Sequence, residues 1–136
     1  KHITGLEVMA RQHEQLHRRL QGLADVMAAA EGGQIDQETR DALEGMPDQI
    51  DVLVDNIRVH FAAEEDVMFF HDYPSAEVHR AGHQHFLKAV EDLIAQQEEG
   101  DSAGLKVVVD FLCGWLAGHV DAHDRMFKEF HESLTG

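Results

Sequence analysis

Basic residues are scarce in this sequence: 11 Lys and Arg stand against 26 Asp and Glu, a formal charge of −15 over 136 residues. Such a field repels nucleic acid and anionic lipid, and no local Lys/Arg cluster offsets it, so neither is an expected partner. Long apolar runs are missing as well. No stretch approaches the roughly 20 residues that span a bilayer, and no secretory leader pattern is visible, so no membrane insertion is expected. Proline occurs only twice, which leaves long segments without turn chemistry and favours an all-helical chain. Cysteine occurs once, at Cys113. That excludes an internal disulfide and favours a reducing, cytoplasmic setting. Val109, Leu116 and Val120 lie along the same helical stripe, so Cys113 reads as packing rather than as a reactive thiol.

Apolar residues make up 43% of the chain, enough for a real core, and neither a repeat nor a domain boundary interrupts it. The expectation is one domain over residues 1–136. A chain that begins with Lys1 fits either a trimmed protein or a domain excised from a longer one.

Histidine is abundant, with eleven residues. It is a mediocre helix former and the commonest metal ligand, so the excess needs a reason. The first helix, roughly Thr4 to Ala30, carries Leu6, Met9, His13, Leu16, Leu20, Leu23 and Met27 in three-four alternation, a bundle seam. Glu31-Gly32-Gly33 ends it. A short helical prelude is expected from an Asp36 cap to Gly45, with Pro47 in the first turn of a second helix. That helix aligns Ile50, Leu53, Ile57, His60, Glu64 and Val67/Met68 as far as about Phe70. His71-Asp72-Tyr73-Pro74-Ser75 is a turn. A third helix, from about Ser75 to Glu98, aligns His79, His83, Phe86, Val90 and Leu93/Ile94. Gly100-Asp101-Ser102 breaks the chain and caps a fourth helix to about Ser133, with Val108, Leu112, Trp115, His119, Met126 and Phe130 on one face. Short connections between four amphipathic helices predict an up-down-up-down four-helix bundle.

Each seam thus places polar residues where leucine would stabilise more. A lone His13 would normally be a satisfied core histidine, and His60 with Glu64 an ordinary pair at a helix edge. Taken together they mean more. His60-x-x-x-Glu64 and His79-x-x-x-His83 each put two donors on adjacent turns, about 6 Å apart along the axis. With His13 and His119 at mid-helix, several imidazoles and carboxylates can meet in the core. That is too many donors for one tetrahedral zinc, and suits two bridged octahedral ions.

The stretch His60-Phe61-Ala62-Ala63-Glu64-Glu65-Asp66-Val67-Met68, followed by Tyr73-Pro74, His79, His83 and Phe86, resembles the bacterial hemerythrin signature. Trp115-Leu116-Ala117-Gly118-His119-Val120, followed by Asp124, resembles the last-helix motif of that family, and the likeness covers most of the chain. It implies a four-helix bundle around two iron ions, cycling between ferrous and ferric and joined by an oxo or hydroxo bridge. By the same resemblance His79, His83 and His119 ligate one iron, His13 and His60 the other, and Glu64 and Asp124 bridge them. One iron keeps an open position for O2, roofed by Leu116, with Trp115 and Phe61 as neighbours.

Two positions stay open. Ala10 stands where the family usually has an acid three residues before its first histidine, and His17 rivals His13. Helical periodicity places His123, four residues on, almost beneath His119, whereas Asp124 lies about 140° round; the resemblance selects Asp124. His2, His71, His85 and His131 hold no seam position and read as solvated.

The Glu-x-x-His repeat of oxygen-activating di-iron bundles is absent, so the expected activity is reversible O2 binding rather than enzymatic turnover. Carrier, store, and oxygen- or redox-sensing module with a signalling domain in cis all fit; nitric oxide and small anions are chemically related ligands. The alternatives are a di-iron enzyme with peroxidase or nitric oxide-handling activity at the same site, and a metal domain without redox function.

Overall fold

The structure is a computed structural model. It describes the backbone of residues 5–33, 35–97 and 102–135, and side chains within 7–33, 35–97 and 103–119, with Glu129 and Glu132. Four α-helices follow one another: α1 (Gly5–Glu31), α2 (Gln37–Phe70), α3 (Ala76–Ala95) and α4 (Ser102–Thr135). α1 packs on α2 and α4, and α3 closes the ring by packing on α2 and α4. Cross-helix partners such as Glu65–His83 and Arg58–Glu91 run in opposite order along α2 and α3. The helices are therefore antiparallel neighbours, as the short connections predict. Among the described residues, no helix is long and apolar enough to cross a membrane.

The seams turn inward as their spacing requires. α1 buries Met9, His13, Leu16, Leu20, Leu23 and Met27, and α2 buries Ile50, Leu53, Ile57, His60, Phe61, Glu64 and Met68. α3 contributes His79, His83, Phe86 and Val90; α4 contributes Val108, Val109, Leu112 and Leu116. Most of these apolar side chains form one core. A smaller cluster of Met9, Met68, Tyr73 and Ala76 closes the end where α2 turns into α3.

Local chemistry explains the ends. The Asp36 carboxylate accepts the Thr39 N–H at 2.8 Å and caps α2, satisfying a backbone donor that the helix cannot. That bond also holds the Asp36 carboxyl below its ordinary pKa. After α1, Gly33 takes φ +83°, a left-handed conformation that a side chain would disfavour. The turn after α2 is closed by Tyr73 N–H donating to the Met68 carbonyl at 2.9 Å. The Gly100-Asp101 break before α4 lies outside the described residues.

One expectation is corrected. The prelude and the second helix are a single element, with Pro47 inside α2. Proline removes one backbone donor and costs about 3 kcal/mol in a helix interior. Pro47 itself is exposed, while the stripe Leu43, Met46, Ile50 and Leu53 crosses it without a break and packs into the core. Breaking the helix there would strand Met46 and Ile50, each burying about 1.5–3 kcal/mol of side chain. Tertiary burial outweighs the local penalty.

Candidate metal centre

Helical spacing places the polar seam residues. On α2, His60 and Glu64 lie one turn apart on the buried face; on α3, His79 and His83 do the same. His13 enters from α1 and His119 from α4. The antiparallel packing brings five of these residues to one level. His13 Nε2 lies 2.5 Å from His60 Nε2, and Glu64 Oε2 lies 3.3 Å from His60 Nε2 and 4.0 Å from His13 Nε2. The other carboxylate oxygen, Oε1, lies 3.1 Å from His83 Nε2. The ligand atoms form two groups, His13–His60–Glu64 and Glu64–His83–His119, each with all atoms within 4.8 Å of one another. Glu64 belongs to both and turns a different oxygen to each.

The outward faces of the rings fix their inward faces. His60 Nδ1 is 2.8 Å from Gln12 Oε1, and His83 Nδ1 is 3.0 Å from Glu65 Oε2. Both partners are acceptors, so each Nδ1 carries the proton and donates it outward. In the neutral imidazole, Nε2 then presents a lone pair. His60 Nε2 meets His13 Nε2 across 2.5 Å, and His83 Nε2 faces the Glu64 carboxylate across 3.1 Å. Lone pairs in such contact repel unless a proton or a metal cation sits between them. His13, His60, Glu64 and His83 are at 5% exposure or less and His119 is half-buried, and such a set of imidazole nitrogens with a carboxylate suits borderline or hard divalent metals such as iron. These residues fit a metal pair.

Aromatic rings hold the imidazoles in place. Phe61 stacks on His83 at 3.8 Å, with planes 6° apart. Trp115 stacks on His119 at 4.2 Å and on Phe86 at 3.7 Å. Tyr73 lies 5.5 Å from His79, and its hydroxyl is pushed above its ordinary pKa by burial and then by the Glu64 charge.

The expected residues fall out as follows. His13, His60, Glu64, His83 and His119 converge. His13 is buried and its rival His17 exposed. His79 is buried on the same face of α3, but among the described residues it joins neither donor group. The side chains of Asp124 and His123 lie outside the described residues. Phe61 and Trp115 flank the imidazoles, and Leu116 is buried one turn before His119, in the core that contains Phe61. His85 is exposed, and His71 is half-buried rather than solvated, with its ring against Phe70. Three residues escaped the sequence reading in their site roles: Gln12, Glu65 and Phe86. Each had a signal, since Gln12 and Glu65 adjoin ligand candidates and Phe86 follows His83 by one turn.

Comparison with known proteins settles the kind of domain. The family model described as the hemerythrin HHE cation binding domain matches residues 4–130. This chain belongs to that family. A bacteriohemerythrin of Ralstonia nicotianae is 34% identical over 77 residues, 57% of this chain and 56% of that protein. A bacteriohemerythrin of Methylococcus capsulatus is 27% identical over 79 residues, covering 58% of this chain and 60% of that one. The chain thus spans little more than half the length of these relatives in the matched region. No solved structure gives a significant match. The hemerythrin resemblance and the all-helical bundle both hold, and the described residues include His/Glu groups that could hold a metal ion.

Proposed function

We propose that this hemerythrin domain holds a di-iron centre and binds O2 reversibly, as a carrier, a store or an oxygen-sensing module. The observation that carries this reading is the division of Glu64, whose two oxygens face two separate imidazole groups. A carboxylate so placed spans two cations rather than serving one. On this reading His13 and His60 hold one iron, His79, His83 and His119 the other, with Asp124 as the second bridging carboxylate. When bound, the iron pair supplies reversible two-electron exchange with dioxygen.

The protein's own part is to orient and to shield. Glu64, His60 and His83 are at most 2% exposed, so bulk water is kept from the reacting position. Phe61 and Trp115 lock the His83 and His119 rings by stacking, and buried Leu116 adds an apolar roof that slows the loss of charged products. A ligand set rich in neutral imidazole favours binding over the high-valent chemistry of carboxylate-rich sites. We place the domain over residues 1–136 and in the cytoplasm, where a lone thiol stays reduced. A signalling domain joined in cis is compatible with this role; nitric oxide and small anions suit the same open position.

Repeated aeration and deoxygenation of the reduced, iron-loaded protein tests the proposal. A visible absorption should appear with air, vanish under inert gas and return over several cycles with the iron retained. Irreversible bleaching, or sustained oxygen consumption with a reductant, would replace binding with turnover.

A further inference from the structure

His60 and His83, whose Nε2 atoms lie 3.3 and 3.1 Å from the two Glu64 oxygens, are backed by different chemistry. His60 donates through Nδ1 to the neutral amide of Gln12, and His83 donates to the carboxylate of Glu65. Glu65 is held in turn by Arg80, whose Nε lies 3.8 Å from the other carboxylate oxygen. A hydrogen bond from imidazole to a carboxylate raises the electron density on the inward nitrogen more than one to an amide does. Since Glu64 contributes one oxygen to each side, the difference in backing is not cancelled by the shared ligand.

We infer that Gln12 and Glu65 are positioning residues that add to the inequality of the two cation positions, tightening the His83–His119 position beyond what its imidazole count gives. This rests on the two-cation reading above. Both residues fix the Nδ1–H tautomer, so both preorganise Nε2 toward the centre. Only Glu65 adds charge. The first cation to arrive therefore settles at the α3–α4 side, and the α1–α2 side, with the weaker donor, fills second. In the loaded protein the α1–α2 ion remains the more exchangeable of the pair.

Zinc is the probe, because it is redox-inert and diamagnetic. The metal-free protein is titrated in competition with a chromophoric chelator, and imidazole nitrogen NMR reports which rings are engaged at each step. The parent should bind two zinc ions in two steps, the first shifting His83 and His119. Glu65→Gln, which keeps an acceptor for Nδ1–H but removes the charge, should weaken that first step about 10–100-fold and leave the second unchanged. Gln12→Glu should strengthen the His13–His60 step instead. The Glu65 side chain is 20% exposed, so the amide is sterically tolerable, and metal-free melting curves verify that the variants fold. Equal weakening of both steps in Glu65→Gln, or none, overturns the inference while leaving the two-cation site standing. A parent that binds fewer than two zinc ions overturns both.

Discussion

Replacing the buried polar cluster with hydrocarbon should stabilise the metal-free protein while abolishing its metal binding. His13, His60, Glu64 and His83 are 5%, 2%, 2% and 1% exposed, and each is close in volume to leucine. They must be changed together, because removing one strands the desolvated remainder at a cost of several kcal/mol. Exchanging a complete buried ionic group for well-packed apolar residues is typically neutral or stabilising by about 1–4 kcal/mol. For a chain of this size roughly 3–5 °C in Tm corresponds to 1 kcal/mol, so a variant carrying His13→Leu, His60→Leu, Glu64→Leu and His83→Leu, with His119→Leu for the fifth converging residue, should melt several degrees higher in chelator. With a divalent metal at about 100 times its dissociation constant, the parent should gain about 2.7 kcal/mol and the variant nothing. Melting followed by circular dichroism, with and without metal, reads both. A variant several kcal/mol less stable than the parent in chelator would show that these side chains serve the fold, and the argument from misplaced polarity would fail.

Three smaller predictions use single residues. Tyr73 is the only tyrosine, so phenolate absorbance titrates it alone, and burial with the Glu64 charge should place its midpoint above the ordinary value near 10. A folded-state pKa above the unfolded one contributes stability below about pH 10 that is lost as pH rises through the folded value. The stability difference between the parent and Tyr73→Phe should therefore move against the parent in that alkaline range, and a constant difference would contradict the burial. Cys113 is the only cysteine, and burial together with Asp110 raises its thiol pKa. Iodoacetamide should therefore label it more slowly in the folded protein than in urea, where equal rates would refute the packing role. Leu116→Val, at about 1 kcal/mol of stability, should shorten the life of the oxygen-dependent absorption; an unchanged lifetime would remove Leu116 as the roof.

Much of this was legible in the sequence because it is periodic. Met9, His13, Leu16 and Leu20 reveal their common face by spacing alone, and the structure buries all four. Polar residues within such stripes announce that something in the core must satisfy them. Pro47 misled, because the rule against proline is local while the burial of Met46 and Ile50 is decided by neighbouring helices. Gln12 and Glu65 stayed hidden for a related reason. Their partners lie 48 and 18 residues away, and which side chain meets a ring edge depends on the register between helices. Spacing within one helix does not carry that register.

The central claim is that Glu64 joins two metal positions. It is tested most directly by iron analysis of the oxidised protein together with its electron paramagnetic resonance spectrum. Two irons per chain with no intense high-spin ferric signal are expected, since a shared bridge couples the spins. One iron per chain, or two that each give an uncoupled ferric signal, would contradict it.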